Sequence, residues 1–280
     1  MVSLEDSFKM SGLTIRLRNP QSQLKSGPPI FCVVLLIIAM LSGCSQKHSV
    51  MPTEGLDSRP LPPVFSEAAK QTEAPDVDAV HIIRDVIANY DALSTYSDEG
   101  TIIAYMTGAD SRYTVKFRTL FKRRAKLRVA WAMEFNHTPG HIQNGVVWCD
   151  GTSAWVSYSI HGNRVESKEN LELATAGAGA ASWGAAYTIP RLLSSEVGGI
   201  GFDEMKSLTV VKHDTADGVE CVVVAGDISS GTQRKIWVGL KDNLIRRIEV
   251  RSKTITREEV RRHIVVNRDI ADSRFSKEGE

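Results

Sequence analysis

The sequence predicts an α+β domain, mainly antiparallel β: a curved, incomplete β-barrel covered by an N-terminal helix and a mid-chain helical insertion. Three observations predict it. A helical apolar pattern stands at residues 76–93, a long series of period-two segments begins at residue 97, and an Ala- and Gly-rich stretch interrupts that series between 168 and 195. Apolar residues three and four apart build one face of a helix, whereas strict alternation builds a strand with one buried and one wet face.

The helix comes first. DVDAVHIIRDVIANYDAL places Val80, Ile83, Ile87 and Tyr90 at helical spacing, with Ile82, Val86 and Leu93 beside them. Asp76 and Asp78 complement the positive end of its dipole. Strands follow. Tyr113, Val115, Phe117 and Phe121 alternate with Thr114, Lys116, Arg118 and Lys122; after Arg123-Arg124, Leu127, Val129, Trp131, Met133 and Phe135 alternate with polar or small residues. Residues 97–106 are the expected partner of this pair. Further strand segments read at 145–149, 154–160, 208–212, 219–225, 235–240, 244–251 and 260–267, separated by turn residues such as Asp150-Gly151 and Asp217-Gly218. The interruption ends in IPRLLSS and reads as one or two short helices. A sheet of so many strands must curl or close, and the helix and insertion are available to cover its concave side.

Ahead of this domain lies a different kind of sequence. Arg16, Arg18 and Lys25 precede the apolar run IFCVVLLIIAM at 30–40, which is too short to span a bilayer comfortably but suits a signal-peptide core. The n-region is long, and either Met1 or Met10 can open it. Leu41-Ser42-Gly43-Cys44 closes the run and resembles the lipobox of bacterial lipoproteins. Small residues let the backbone enter a peptidase site, and the Cys44 thiol can take a thioether-linked diacylglycerol. Residues 1–43 are therefore expected to be a lipoprotein signal peptide and Cys44 the lipidated first residue of the mature chain. Ser45, in place of Asp, favours the periplasmic face of an outer membrane. Residues 44–75 are rich in Pro, Ser, Glu and Thr without periodicity, as a flexible tether would be, and residues 76–280 form the domain.

Composition narrows the function. A net charge of +1 and 24% charged residues indicate no nucleic-acid partner. The sequence lacks Gly-x-Ser-x-Gly, a phosphate loop and a dinucleotide fingerprint, so no enzyme, cofactor or resident metal is expected. His137 and His141 share a Gly-Pro loop without a third ligand at credible spacing. Lys116, Arg118, Lys122, Arg123, Arg124, Lys126 and Arg128 read as a solvated sheet face, as do Arg246, Arg247, Arg251, Arg261 and Arg262; anionic lipid headgroups or an acidic partner are the functional alternative. Cys149 and Cys221 are either a disulfide in an oxidising compartment or two buried thiols.

NYDALSTYSDEGTI at 89–102, YTVKFRTLFKRRAKLRV at 113–129, WCDGTSAWVSY at 148–158, KIWVGLKDNLIRRIEV at 235–250 and the closing VVNRDIADSRF together resemble the LolA-like superfamily of lipoprotein-sorting proteins. The resemblance implies an apolar cavity that shelters acyl chains. Phe117, Phe121, Val129, Trp131, Met133 and Phe135 are the residues expected to line it, and acyl chains or lipoproteins are the expected ligand. A lipid-anchored member held by Cys44 does not ferry; it receives or presents lipid at one membrane of the cell envelope. The alternative is an envelope scaffold or protein-interaction module with a filled core and no lipid.

Overall fold

A computed structural model describes residues 78–108, 111–138, 140–229 and 231–276. Cys44, the signal segment and the whole of the tether lie outside the described residues. Helix α1 spans Ala79–Ala92. Six strands follow: β1 (Thr95–Met106), β2 (Ser111–Lys122), β3 (Lys126–Phe135), β4 (Ile142–Asp150), β5 (Ala154–Tyr158) and β6 (Val165–Lys168). Helices α2 (Leu171–Ala181) and α3 (Pro190–Leu193) precede β7 (Lys206–Ala216), β8 (Val219–Ser229), β9 (Thr232–Gly239), β10 (Ile245–Arg251) and β11 (Ile255–Val266).

The eleven strands form one antiparallel sheet in the order β6-β5-β4-β3-β2-β1-β11-β10-β9-β8-β7. Two meanders are thus zipped together by β1 and β11. The sheet is open between β6 and β7, and the chain inserts α2 and α3 at that gap. One continuous apolar core joins Trp131 of β3 to Val222 of β8 and Ile236 of β9, so the sheet wraps around its contents. Two glycines help it bend. A side chain on Gly100 would meet the Phe117 ring at 2.2 Å, and one on Gly145 would meet the Trp131 ring at 2.2 Å. Each aromatic lies over the glycine directly across the ladder, an arrangement that tightens curvature without opening a void.

Helix α1 starts where Asp78 Oδ1 accepts the Val80 N–H at 2.9 Å. Its buried stripe is Ala79, Ile82, Ile83, Val86 and Tyr90, whereas Val80, predicted on that face, is 46% exposed. The Tyr90 hydroxyl accepts the Ile245 N–H at 3.1 Å and docks the helix on β10. Its last carbonyls are capped from outside: Arg123 donates from Nε to Leu93 O at 2.8 Å and from Nη2 to Tyr90 O at 3.2 Å.

That contact corrects the reading of the basic set as a plain solvated face. Lys122 pairs with Asp269 and Asp272 at 3.1 and 3.0 Å, Lys126 pairs with Asp272 at 2.7 Å, and Arg128 donates to Ser276 O at 2.7 Å. These cations hold the C-terminal segment across the outer side of β3 and β4, where Phe275 is fully buried. Strand β6 was not anticipated at all, because VESK at an edge lacks an apolar alternation.

Candidate functional site

The inner face of the sheet divides into two zones. In the first, Phe117, Phe121, Val129, Trp131 and Met133 are all buried in the same core, and Phe135 packs against it half-buried. The structure therefore brings the six predicted cavity residues together on β2 and β3, under α1 and the helical insertion. Neighbours extend the aromatic surface. Phe135 meets Tyr113 edge-on at 5.3 Å, Tyr113 meets Trp183 at 4.6 Å, and Trp131 meets Tyr158 at 6.0 Å. Burial pushes the Tyr158 phenol up to about 12. Two depressions, of about 500 and 230 Å³, lie around Lys116 and Arg118 and around Arg112 and Glu134; Phe117 and Trp131 border the first and Phe135 the second. Within the zone itself these side chains pack on one another.

The second zone is ionic and escaped the sequence reading. Strand β11 turns Arg257, Glu259 and Arg261 inward, and β1 contributes Asp98; all four are buried. Arg261 donates to Asp98 and, from Nε, to Glu259 at 2.7 Å. Its guanidinium lies 4.7 Å from the Phe117 ring centre, at the seam between the zones. Tyr96 donates its hydroxyl to Asp98 at 2.5 Å. Arg257 donates to Glu259 at 3.2 Å. Burial opposes the Arg261 charge, yet Asp98 and Glu259 hold its pKa above the ordinary guanidinium value. Burial, reinforced by Asp98, pushes the Tyr96 phenol well above its usual range. Arg261 thus corrects the expectation of a solvated arginine. The signal that could have found it is period-two charge: Arg257, Glu259 and Arg261 alternate with Thr256, Glu258, Val260 and Arg262, so neither side of this stretch offers a continuous apolar face to the core.

The ionic zone also fastens the insertion. Arg257 donates to Trp183 O at 2.6 Å and approaches Thr188 Oγ1 at 3.4 Å. Gly184, at φ +102°, makes this approach feasible, since a Cβ there would overlap the Arg257 guanidinium.

The remaining predicted residues fall elsewhere. Cys149 and Cys221 are free and buried, the second of the two alternatives. Cys149 belongs to the main core, whereas Cys221 sits with Ala216, Val223 and Trp237 in a small cluster on the other side of the sheet. A sheet separates the thiols. Burial pushes both thiols up. His137 is in the exposed loop after β3, edge-on to Phe135 at 5.6 Å, and His141 lies just beyond. Among the described residues no group of three His, Cys, Asp or Glu side chains is placed to hold a metal.

No family model matches the chain, and no curated protein matches it. Solved structures similar to it include LprF from Mycobacterium bovis, at 10% identity and a TM-score of 0.44, covering 69% of this chain and 94% of that one. The Mycobacterium tuberculosis lipoprotein LppX is similar at 11% identity and a TM-score of 0.41, covering 69% and 97%. A LolA superfamily protein from Nitrosomonas europaea is similar at 10% identity and a TM-score of 0.34, covering 72% and 98%.

Proposed function

We propose that the protein is a non-enzymatic envelope lipoprotein, anchored through a lipidated Cys44, that takes acyl chains or acylated segments of lipoproteins between its helices and the inner face of its sheet. It receives or presents them at one membrane, on the periplasmic face of the outer membrane. A tether of about 30 residues extends about 30 Å as a flexible coil, enough to hold the domain near the bilayer and too little to cross an envelope.

The observation that carries this reading is the gap between β6 and β7. The sheet's ladders do not close there, and the cover is helical. Helices α2 and α3 can move off the core without breaking a strand ladder. Helix α2, LELATAGAGAA, buries mainly alanine and glycine beside Leu171 and Thr175, so lifting it exposes little apolar area. An acyl chain entering beneath it would exchange side-chain contacts for equivalent ones with Phe117, Trp131, Met133 and Phe135. Met133 and the aromatics are suited to such repacking. The mutually packed aromatic zone is then the unloaded form.

The burial of these side chains against one another also fits a second reading, a scaffold or protein-interaction module whose core never opens. One experiment separates the two. The full chain is purified from its membranes, and the extract of the washed protein is analysed by mass spectrometry. Acyl lipid beyond that attached to Cys44, in stoichiometric amount, is expected; its absence from preparations made in several hosts would favour the scaffold.

A further inference from the structure

A cross-strand row crosses one end of the inner face, running from Arg234 of β9 through Val250 of β10 and Arg257 of β11 to Ala104 of β1, Tyr113 of β2 and Phe135 of β3. Its two arginines differ. Arg257 has Glu259 as a partner. Arg234 is 3% exposed, and no carboxylate among the described residues lies within ion-pair distance of it. It approaches Gly201 O at 3.4 Å, stacks over the Phe202 ring at 4.7 Å, and its Nε has no partner. Glu259, engaged by Arg261 and Arg257, and Glu204, whose Oε1 accepts the Gly201 N–H at 2.8 Å, act on it only through space. A buried guanidinium with no carboxylate in contact is costly, and an arriving anion lowers that cost.

Its cover is slight. The segment Gly198-Gly199-Ile200-Gly201 leads to the carbonyl that Arg234 approaches, with Gly199 at φ +112°, reached readily only by glycine, lying against Tyr187, and Ile200 41% exposed. Trp183, Tyr187, Tyr113 and Phe135 are half-buried around the same end, an amphipathic aromatic rim where a polar head meets an apolar interior.

We propose that Arg234, assisted by Arg257, seats the anionic head, a carboxylate or phosphate, of an amphiphile whose acyl chain runs along the aromatic zone of β2 and β3. A guanidinium offers such a head paired, charge-assisted hydrogen bonds. Burial, with Arg257 close by, draws the Arg234 pKa down to about 10 against the opposing charges of Glu259 and Glu204. The assignment rests on the acyl-chain reading above and specifies which class of lipid it concerns.

Photo-crosslinking tests it on the full chain held in phosphatidylcholine nanodiscs, with diazirine-bearing palmitate, its methyl ester and hexadecyl phosphate as probes. The acid and the phosphate are expected to label about tenfold more than the ester, the value of one charge-assisted hydrogen bond. Labels should map to 183–202 and 231–239. Arg234→Gln should bring the acid-to-ester ratio near one, and Arg234→Lys should keep most of it. Equal labelling by acid and ester overturns the head-group seat while leaving acyl sheltering intact. Labelling by no probe overturns both. Complete protection by millimolar inorganic phosphate would mark a site for a free anion and overturn the amphiphile. Thermal unfolding checks both variants; if Arg234→Gln does not fold, the wild-type ratio and label map decide, and labels mapping elsewhere overturn the seat.

Discussion

The two zones of the inner face are equally buried and chemically opposite. On β2 and β3 the sheet faces its helices with Phe117, Trp131 and Met133; on β1 and β11 it faces them with Asp98, Arg257, Glu259 and Arg261. The aromatic zone is held by area removed from water and by close fit, terms that are non-directional and tolerate a different occupant of the same volume. The ionic zone is held by specific pairs, each of which leaves a charge stranded if its partner goes. Repacking is therefore available to one zone and denied to the other. A sheet that must stay zipped at β1 and β11 while exchanging contents over β2 and β3 benefits from this division: the ionic ladder fixes the seam and, through Arg257, the resting place of the insertion.

Breaking the ladder should produce the largest effect. Arg261→Met strands Asp98 and leaves Glu259 with Arg257 alone, and a loss of about 3–5 kcal/mol is expected in denaturant unfolding. Adding Asp98→Leu to it removes one stranded charge and leaves Glu259 with Arg257, so the double variant should recover at least half of that loss. A double variant no more stable than the single would show that the pair is not coupled.

In the aromatic zone, Gly145→Ala drives a methyl into the Trp131 ring, 2.2 Å away. Overpacking of this kind costs about 1–3 kcal/mol, and Trp131→Leu in the same chain should relieve part of it. The zones should differ in outcome: a change in the aromatic zone is relieved by altering the size of a neighbour, whereas a change in the ladder is relieved only by removing the charge it strands.

Titration sharpens the contrast. Burial raises the Tyr158 phenol from its ordinary 10.0 to about 12, so the folded protein holds that proton more tightly than the unfolded chain. Its contribution is present below pH 10 and is lost as the pH rises toward 12. Tyr158→Phe should flatten unfolding free energy over that window. The smallest effect belongs to the outer cluster. Burial works upward on Asp214, but hydrogen bonds from Trp237 Nε1 at 3.0 Å and from Lys212 hold its carboxyl at about 2. That contribution is present above about pH 4 and fades as the pH falls toward 2, and Asp214→Asn should flatten the unfolding free energy over that window.

Much of the first zone was legible because its signal is local. In LRVAWAMEF each inward residue is apolar and each outward one polar or small, so face and occupant follow from the string alone. The second zone was not legible for the converse reason. ITREEVRRHIVV alternates in position but not in polarity, so nothing within the strand tells which side is buried. Arg261 becomes an inward residue only because β1 brings Asp98 across from it, more than 160 positions away in sequence. Arg234 was hidden in the same way, beside a glycine segment supplied by another part of the chain.

The sequence by itself determined the α+β class, the helix at the head of the domain, most of the strands, the place of the insertion and the candidate apolar lining, because these follow from periodicities of two and 3.6 residues that each segment carries alone. Tertiary structure alone decided the zipper of β1 with β11, the inward turn of the β11 charges, the strapping of the C-terminal segment by Lys122, Lys126 and Arg128, and the separation of Cys149 from Cys221 by the sheet. Each of these depends on which distant group stands opposite, and for a charge that partner, rather than the residue's own polarity, decides whether burial is tolerable.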